Sequence, residues 1–247
     1  MGRLEFFVPR ETLPENRGLL VLLTGPTGVG KDLVLNNLTL PHQQIITFTT
    51  RYKGPNEVDG VDYHFTTTDK FEAMIEKGEM LEYYCNPRGN YYGTSKTEIA
   101  AKRNGGLVVW RLNPDGVSNL LGDPEKIKIL QPTVVICLVA DLDILAKRLG
   151  ERGREKGLLV IERVKQAHEE NEMIAARFEA IYDERIFFQN GTGWVDNQEL
   201  VPKSRVAVQV IENRQGLDNP DGFPRTMRLI EETIVYLNND LWRQTKA

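Results

Sequence analysis

One segment constrains this chain more than any other: residues 18–32, GLLVLLTGPTGVGKD. Its first seven residues form a continuous apolar run ending at Thr24, which suits a strand buried on both faces, as in a parallel sheet. Gly25, Gly28 and Gly30 follow, and then Lys31, in the spacing GxxxxGK. Glycines at those positions let the backbone curl so that successive N–H groups turn toward one phosphate, while the lysine reaches the oxygens beyond it. A helical pattern opens within residues 30–33, so the loop sits between strand and helix, where such a cradle works. Gly25, Pro26, Thr27, Gly28, Val29, Gly30, Lys31 and Asp32 are the expected phosphate-binding residues of a nucleoside triphosphate site.

Asp32 departs from the motif, which places a Ser or Thr there to share in Mg²⁺ binding. Its carboxylate reads either as a replacement metal ligand, since carboxylates bind Mg²⁺ directly, or as a helix-N-terminal acid directed elsewhere.

The rest of the chain alternates. Residues 44–50, 106–113 and 133–140 are further strand candidates, with a shorter one at 185–190. Between them lie helical signals. Asp69 and Glu72 make a capping pair ahead of Phe71, Met74 and Ile75, and Ser95 with Glu98 makes another. Leu142, Leu145 and Leu149 share one face, a long charged helix runs from about residue 159 to 181, and an amphipathic helix from about 226 to 242 closes the chain. Strands alternating with helices imply an α/β fold with a mainly parallel sheet. Residues 51–94 interrupt that rhythm with turns at Asp59–Gly60 and at 86–89 among aromatic and β-branched residues, and read as a small antiparallel insertion. Residues 192–225 read as irregular.

The 247 residues carry a net charge of −4, which does not suit a general nucleic-acid or anionic-membrane binder. No run approaches the length of a membrane span, and residues 1–17 lack the apolar core of a signal peptide. Cys85 and Cys137 have no CxxC spacing and lie in apolar or aromatic runs, so both are expected to be buried thiols in a reducing compartment. A cytoplasmic location follows as the expectation. His42, His64 and His168 show no metal-ligand spacing.

Downstream motifs narrow the class. Thr49, Thr50 and Arg51, then EVDGVDYHF at 57–65, GEMLE at 78–82, GNYYGT at 89–94 and RLGERG at 148–153 together resemble the guanylate kinases, in order and over about two-thirds of the chain. The resemblance implies a P-loop kinase core (18–50, 101–150 and 176–247), an acceptor-binding insertion (51–100) and a helical lid (151–175) within a single domain of residues 1–247. It implies transfer of the γ-phosphate of ATP, with Mg²⁺, to GMP or dGMP. By position, Arg51, Tyr63 and Tyr92 would hold the acceptor phosphate, with Glu57 in the same signature. Glu82 would accept hydrogen bonds from the guanine edge, assisted by Thr47 and Thr94. Lys31, Arg148, Arg152 and Arg163 would neutralise charge during transfer. A carboxylate, being acceptor-only, suits guanine's donor edge and rejects adenine. The lesser alternatives are that the tyrosines are core aromatics of a small sheet and Glu82 a solvated strand residue. Monomer and homo-oligomer remain equally open.

Three positions depart from the family. Its second phosphate-binding arginine aligns with Gly54, leaving Lys53 as a replacement point charge. The acids at the end of its third core strand are absent, and the strand here ends Trp110, Arg111, Leu112, Asn113. Asp32 is the third. The last two suggest that acidity moved from the strand into the loop, with Arg111 neutralising Asp32 or contacting a phosphate. They also resemble the ribose 1,5-bisphosphate phosphokinases, so a different phosphorylated acceptor is the alternative activity, and a non-catalytic binding module is another.

Overall fold

A computed structural model describes residues 18–86, 88–130, 133–151, 158–181, 187–189, 192–196, 206–212 and 222–245. The chain enters through β1 (Leu20–Thr24), whose residues are all buried, and turns through the glycine loop into α1 (Lys31–Asn37). Next come β2 (His42–Gln44), β3 (Phe48–Thr49), β4 (His64–Phe65), α2 (Thr68–Glu76), β5 (Met80–Cys85) and β6 (Tyr91–Ser95). The core resumes with α3 (Lys96–Lys102), β7 (Leu107–Arg111), α4 (Pro114–Leu121), α5 (Pro124–Leu130), β8 (Thr133–Val139), α6 (Leu142–Glu151) and α7 (Leu158–Ile181). β9 (Phe187–Gln189), β10 (Thr192–Asp196), β11 (Val206–Glu212) and α8 (Gly222–Thr245) follow.

The larger sheet runs β2-β7-β1-β8-β11-β10-β9. Its pairings from β2 across to β11 are parallel, and the last two are antiparallel. Strand alternation divides its core into two faces. Val21, Leu23, Ile136 and Leu138 pack on one side with Val34, Leu145, Ala167 and Ile230 from the helices. Leu20, Leu22, Val108, Trp110, Val135 and Cys137 pack on the other with Ile99, Val117 and Leu120. Each large aliphatic buried in this way contributes about 1.5–3 kcal/mol before the entropy cost of ordering it.

Parallel strands send their loops out at the same edge, and a ligand crevice forms outside their carboxyl ends. Here that edge carries Thr24 and the glycine loop on β1. Arg111, opposite Leu23 in register, lies beside them at the end of β7.

The second sheet, β4-β3-β6-β5, is mixed. β3–β6 and β5–β6 are antiparallel as expected, whereas β3–β4 run parallel because the chain loops out through residues 50–63 and re-enters in the same sense. The expected strand at 44–50 is divided between the two sheets. Ile45 N–H still donates to Val109 O in the core, but Ile46 N–H donates to Glu98 Oε1 and Thr47 O accepts from His64 N–H.

Other expectations need correction. Residues 192–225 are not uniformly irregular, since β11 is an inner strand of the core sheet beside β8. Thr67, not Asp69, caps α2, accepting from Lys70 N–H, and Asp69 lies in the first turn. Ser95 caps α3 as expected, accepting from Glu98 N–H. Leu145 and Leu149 are buried, but Ile144 joins them where Leu142 is exposed. Cys137 is buried and its thiol pushed up to about 12 by burial, whereas Cys85, at the last position of β5, is exposed.

Candidate functional site

The loop after β1 is held from within. Gly25 sits at φ 139°, and a Cβ there would meet Leu138 O at 2.3 Å, so only glycine lets the loop leave between β1 and β8. Gly30 caps α1 at φ 101°, the left-handed turn that points the following N–H groups inward. Lys31 Nζ donates to Gly25 O at 2.6 Å and to Pro26 O at 3.1 Å. Burial pushes the Lys31 amine down to about 8, with Glu170 and Asp32 pulling the other way. From α6, Arg148 Nη1 donates to Val29 O at 3.1 Å.

A carboxylate also reaches the loop. Glu170, buried on α7, accepts from Thr27 N–H at 2.6 Å through Oε2 and from Gln166 Nε2 at 2.9 Å through Oε1. Sequence reading passed over it as part of a charged helix. The available signal was the spacing of Arg163, Ala167 and Glu170, which puts Glu170 on the same helical face as an apolar residue that is fully buried.

At the end of β7, Arg111 Nη1 donates to Asp32 Oδ1 across 79 residues of sequence. The guanidinium carbon also lies 5.3 Å from the centroid of the Tyr63 ring. Burial works against the Arg111 charge, but Tyr63 and Asp32 more than offset it and hold the group above its ordinary value. Of the two outcomes expected for Arg111, neutralising Asp32 is the one the structure displays. Among the described residues no cluster of three or more His, Cys, Asp or Glu could hold a metal by itself. A Mg²⁺ ion at this loop would depend on phosphate oxygens, and Asp32, with its side chain 57% exposed at the first turn of α1, is a carboxylate that fits such an ion, whereas Glu170 is engaged by Thr27 and Gln166.

The second sheet faces this edge with aromatic rings. Arg51 lies 5.1 Å over Tyr63, Tyr63 meets Tyr92 edge-on at 6.1 Å, and Tyr92 stacks on Tyr84 at 5.3 Å. Arg51 is gripped by Glu57 through both guanidinium nitrogens, at 2.7 and 2.8 Å, and Glu57 also accepts from Gly54 N–H. The Glu57 bond holds the Arg51 charge well above its ordinary range.

Glu82 lies deeper, on β5, near Thr94 of β6, whose hydroxyl is 3.5 Å from that of Thr47. Its Oε1 is buried and has no hydrogen-bond partner, and Oε2 would lie 3.8 Å from a Cβ on Gly116 in α4. Burial raises the carboxyl to about 7, with hydrogen bonding from Thr94 and the charge of Lys126 opposing the shift. An orphaned buried acceptor costs about 1–3 kcal/mol unless something donates to it.

Most of the expected site residues therefore fall into two neighbouring groups: Lys31, Asp32 and Arg148 beside the glycine loop, and Arg51, Glu57, Tyr63, Glu82, Tyr92, Thr47 and Thr94 on or beside the second sheet. Arg111 joins them. Lys53 is exposed and makes no hydrogen bond or ion pair to either group among the described residues. Arg163 lies on α7, where its Nη1 donates to Gln166 Oε1 at 3.3 Å. Arg152 lies outside the described residues.

The guanylate kinase family model matches residues 17–187. A guanylate kinase of Enterococcus faecalis is 37% identical over 175 residues, spanning 69% of this chain and 83% of the relative. One of Streptococcus pneumoniae is 34% identical over 176 residues, spanning 69% and 82%. The crystal structure of guanylate kinase from Anaplasma phagocytophilum shares the fold, with a TM-score of 0.53 over 93% of this chain and 87% of that one at 19% identity. The chain belongs to the guanylate kinase family.

Proposed function

We propose that this protein transfers the γ-phosphoryl group of ATP to GMP or dGMP, yielding ADP and GDP or dGDP, and that it does so in the cytoplasm. The observation that carries the reading is Glu82, a buried carboxylate with an unmet acceptor oxygen beside Thr94 and Thr47. Guanine presents two donors, N1–H and the 2-amino group, on the edge such a group would meet, and adenine does not.

In this reading the loop N–H groups and Lys31 hold the donor phosphates, and Arg51, Tyr63 and Tyr92 hold the acceptor phosphate. Arg51 must then exchange Glu57 for a ligand, trading one bidentate anion for another. Arg148, with Arg152 and Arg163 from the lid, offsets the charge that spreads over the transferring group. Mg²⁺, held by Asp32 and phosphate oxygens, would add further neutralisation. Lid residues exclude water so that the phosphoryl group passes to the acceptor and not to solvent. No described helix is long and apolar enough to cross a membrane.

The test is a coupled ADP-release assay with ATP and each of GMP, dGMP, AMP and ribose 1,5-bisphosphate. Turnover with GMP or dGMP, preferred over AMP by about 10²-fold or more in kcat/KM, is the expected result. Turnover with ribose 1,5-bisphosphate alone, or with no acceptor, overturns the reading.

Glu82 also sets a pH dependence. Only the ionised carboxylate accepts from both guanine donors, and in the free protein it ionises at about 7. The kcat/KM for GMP is expected to fall about tenfold per pH unit below pH 7. A profile flat down to pH 5 would remove Glu82 from base recognition.

A further inference from the structure

Arg111 is placed where neither the loop nor the second sheet can account for it alone. It ends β7, beside the strand that feeds the phosphate loop, and its guanidinium lies against the same tyrosine ring as Arg51. Two like charges share one ring, one from each sheet. Their surroundings differ. Arg51 is clamped by both oxygens of Glu57 through two nitrogens and also donates to Tyr52 O. Arg111 is held through one nitrogen by one oxygen of Asp32, and its other guanidinium donors meet no hydrogen-bond partner among the described residues. With its side chain 19% exposed, Arg111 is a largely desolvated cation with donors to spare. A guanidinium has a planar fork that matches two phosphate oxygens, so such a group favours a polyanion over a single carboxylate oxygen.

We propose that Arg111 is a substrate-positioning residue that binds the phosphoryl group in transit between the two nucleotides, and that Asp32 is its placeholder anion in the free protein. The proposal rests on the nucleotide-kinase reading above and adds a residue to it. During transfer the bond from the γ-phosphorus to the β–γ bridging oxygen breaks and its electron pair leaves with ADP. A bond forms from the same phosphorus to an acceptor phosphate oxygen, and Arg111 keeps its proton throughout. Its part is to hold equatorial oxygens of the moving group in line between Lys31 on the donor side and Arg51 on the acceptor side. When the phosphates arrive, Arg111 leaves Asp32, which frees that carboxylate.

The geometry separates this role from two others. A residue serving only to neutralise Asp32 would be dispensable once Asp32 is neutral. A purely structural residue would change melting temperature and all affinities together.

The experiment first establishes that the wild-type chain turns over GMP. It then measures, without metal, the binding of ADP, of GMP and of a bisubstrate analogue in which a polyphosphate joins adenosine to guanosine and spans both sites. For Arg111→Met the expected result is ADP and GMP binding within about threefold of wild type, analogue binding weaker by about 30-fold or more, and kcat lower by about 10²-fold with little change in either KM. Arg111→Lys recovers part of the analogue binding, since it restores charge without the fork. Asp32→Asn tightens metal-free analogue binding severalfold by releasing Arg111. Wild-type turnover combined with unchanged analogue affinity in Arg111→Met overturns the role of Arg111 alone. So does recovery of kcat in the Asp32→Asn, Arg111→Met double variant. Absence of wild-type turnover with GMP instead overturns the underlying activity. Should Arg111→Met fail to fold, Asp32→Asn decides: tighter analogue binding supports the proposal and unchanged or weaker binding overturns it.

Discussion

Glutamine in place of Glu82 gives a protein that is more heat-stable at pH 8 and nearly blind to its acceptor. The two effects have one origin. The folded state raises the Glu82 carboxyl from 4.5 to about 7, chiefly by burial. A raised folded-state value means that the native protein retains this proton in a range where the unfolded chain has lost it. The associated stability is complete below pH 4.5 and is lost as pH rises through about 7. Above that point the ionised carboxylate costs on the order of 3 kcal/mol relative to the neutral acid. Glutamine removes the charge but buries an amide, so the net gain at pH 8 is about 1–2 kcal/mol, or ~2–8 °C in melting temperature for a chain of this size. Below pH 4.5 the gain vanishes. Binding moves in the opposite sense, because the glutamine NH₂ faces guanine's donors in place of an acceptor. One charge-assisted hydrogen bond worth about 1.5–3 kcal/mol is lost and one guanine donor is left unpaired at a cost of about 1–3 kcal/mol, which together lower kcat/KM for GMP by roughly 10²- to 10⁴-fold. Thermal melts at pH 4 and pH 8, with acceptor kinetics at pH 8, check both halves. A variant that melts lower at pH 8 and keeps its acceptor would return Glu82 to an ordinary strand position.

That a functional residue should cost stability explains part of what the sequence made legible. The run at 18–24, the glycines at 25, 28 and 30, and the run at 133–140 each satisfy one local requirement, burial on both faces or a left-handed turn, and local requirements can be read in one dimension. β11 also met such a requirement, since VAVQVI is an apolar run, but the Asn, Gly, Asp and Pro residues around it concealed an inner strand. The strand at 44–50 was misread for a different reason. Residue type shows that Ile45 and Ile46 are buried, not that His42–Gln44 and Phe48–Thr49 belong to different sheets. Thr67 and Asp69 are both good capping residues, and only backbone direction chooses between them.

Site residues divide in the same way. Arg51, Tyr63, Glu82 and Tyr92 sit in motifs whose spacing can be matched. The partnership of Arg111 and Asp32 could be anticipated only against the family pattern, which places acids on the strand and none at the loop position. Glu170 could not. Its partner, Thr27 N–H, is a backbone group 143 residues away and carries no sequence signature. Glu57 was placed with the acceptor residues, and in the free chain it closes on Arg51, a pairing six residues apart that motif reading did not resolve.

Lys31→Met is expected to abolish turnover while leaving the fold intact. Methionine has nearly the length and volume of the lysine stem and settles into the same space. What disappears is a half-buried cation that donates to Gly25 O and Pro26 O and lies near Glu170. Two opposing changes follow for stability. The loop loses hydrogen bonds worth about 1.5–3 kcal/mol each, and the desolvation cost that pushes the amine from 10.5 down to about 8, on the order of 3 kcal/mol, is lifted. The remainder is about 0–3 kcal/mol of lost stability, so the melting temperature falls by at most about 12 °C. Catalysis has no such compensation. In the proposed reaction the lysine's charge offsets that of the donor phosphates, and removing one such group is expected to lower kcat by about 10³-fold. Glu170→Gln separates the lysine's charge from its surroundings. It keeps the Thr27 contact through the amide oxygen but removes the carboxylate that raises the Lys31 value, so the amine titrates lower than in the wild type. Nucleotide binding by Glu170→Gln should then weaken at a lower pH than in the wild type, while Lys31→Met binds weakly at every pH. Calorimetric titration of ADP between pH 6.5 and 9 distinguishes the two. If Lys31→Met retains wild-type turnover, the loop between β1 and α1 is a structural turn and not a phosphate cradle.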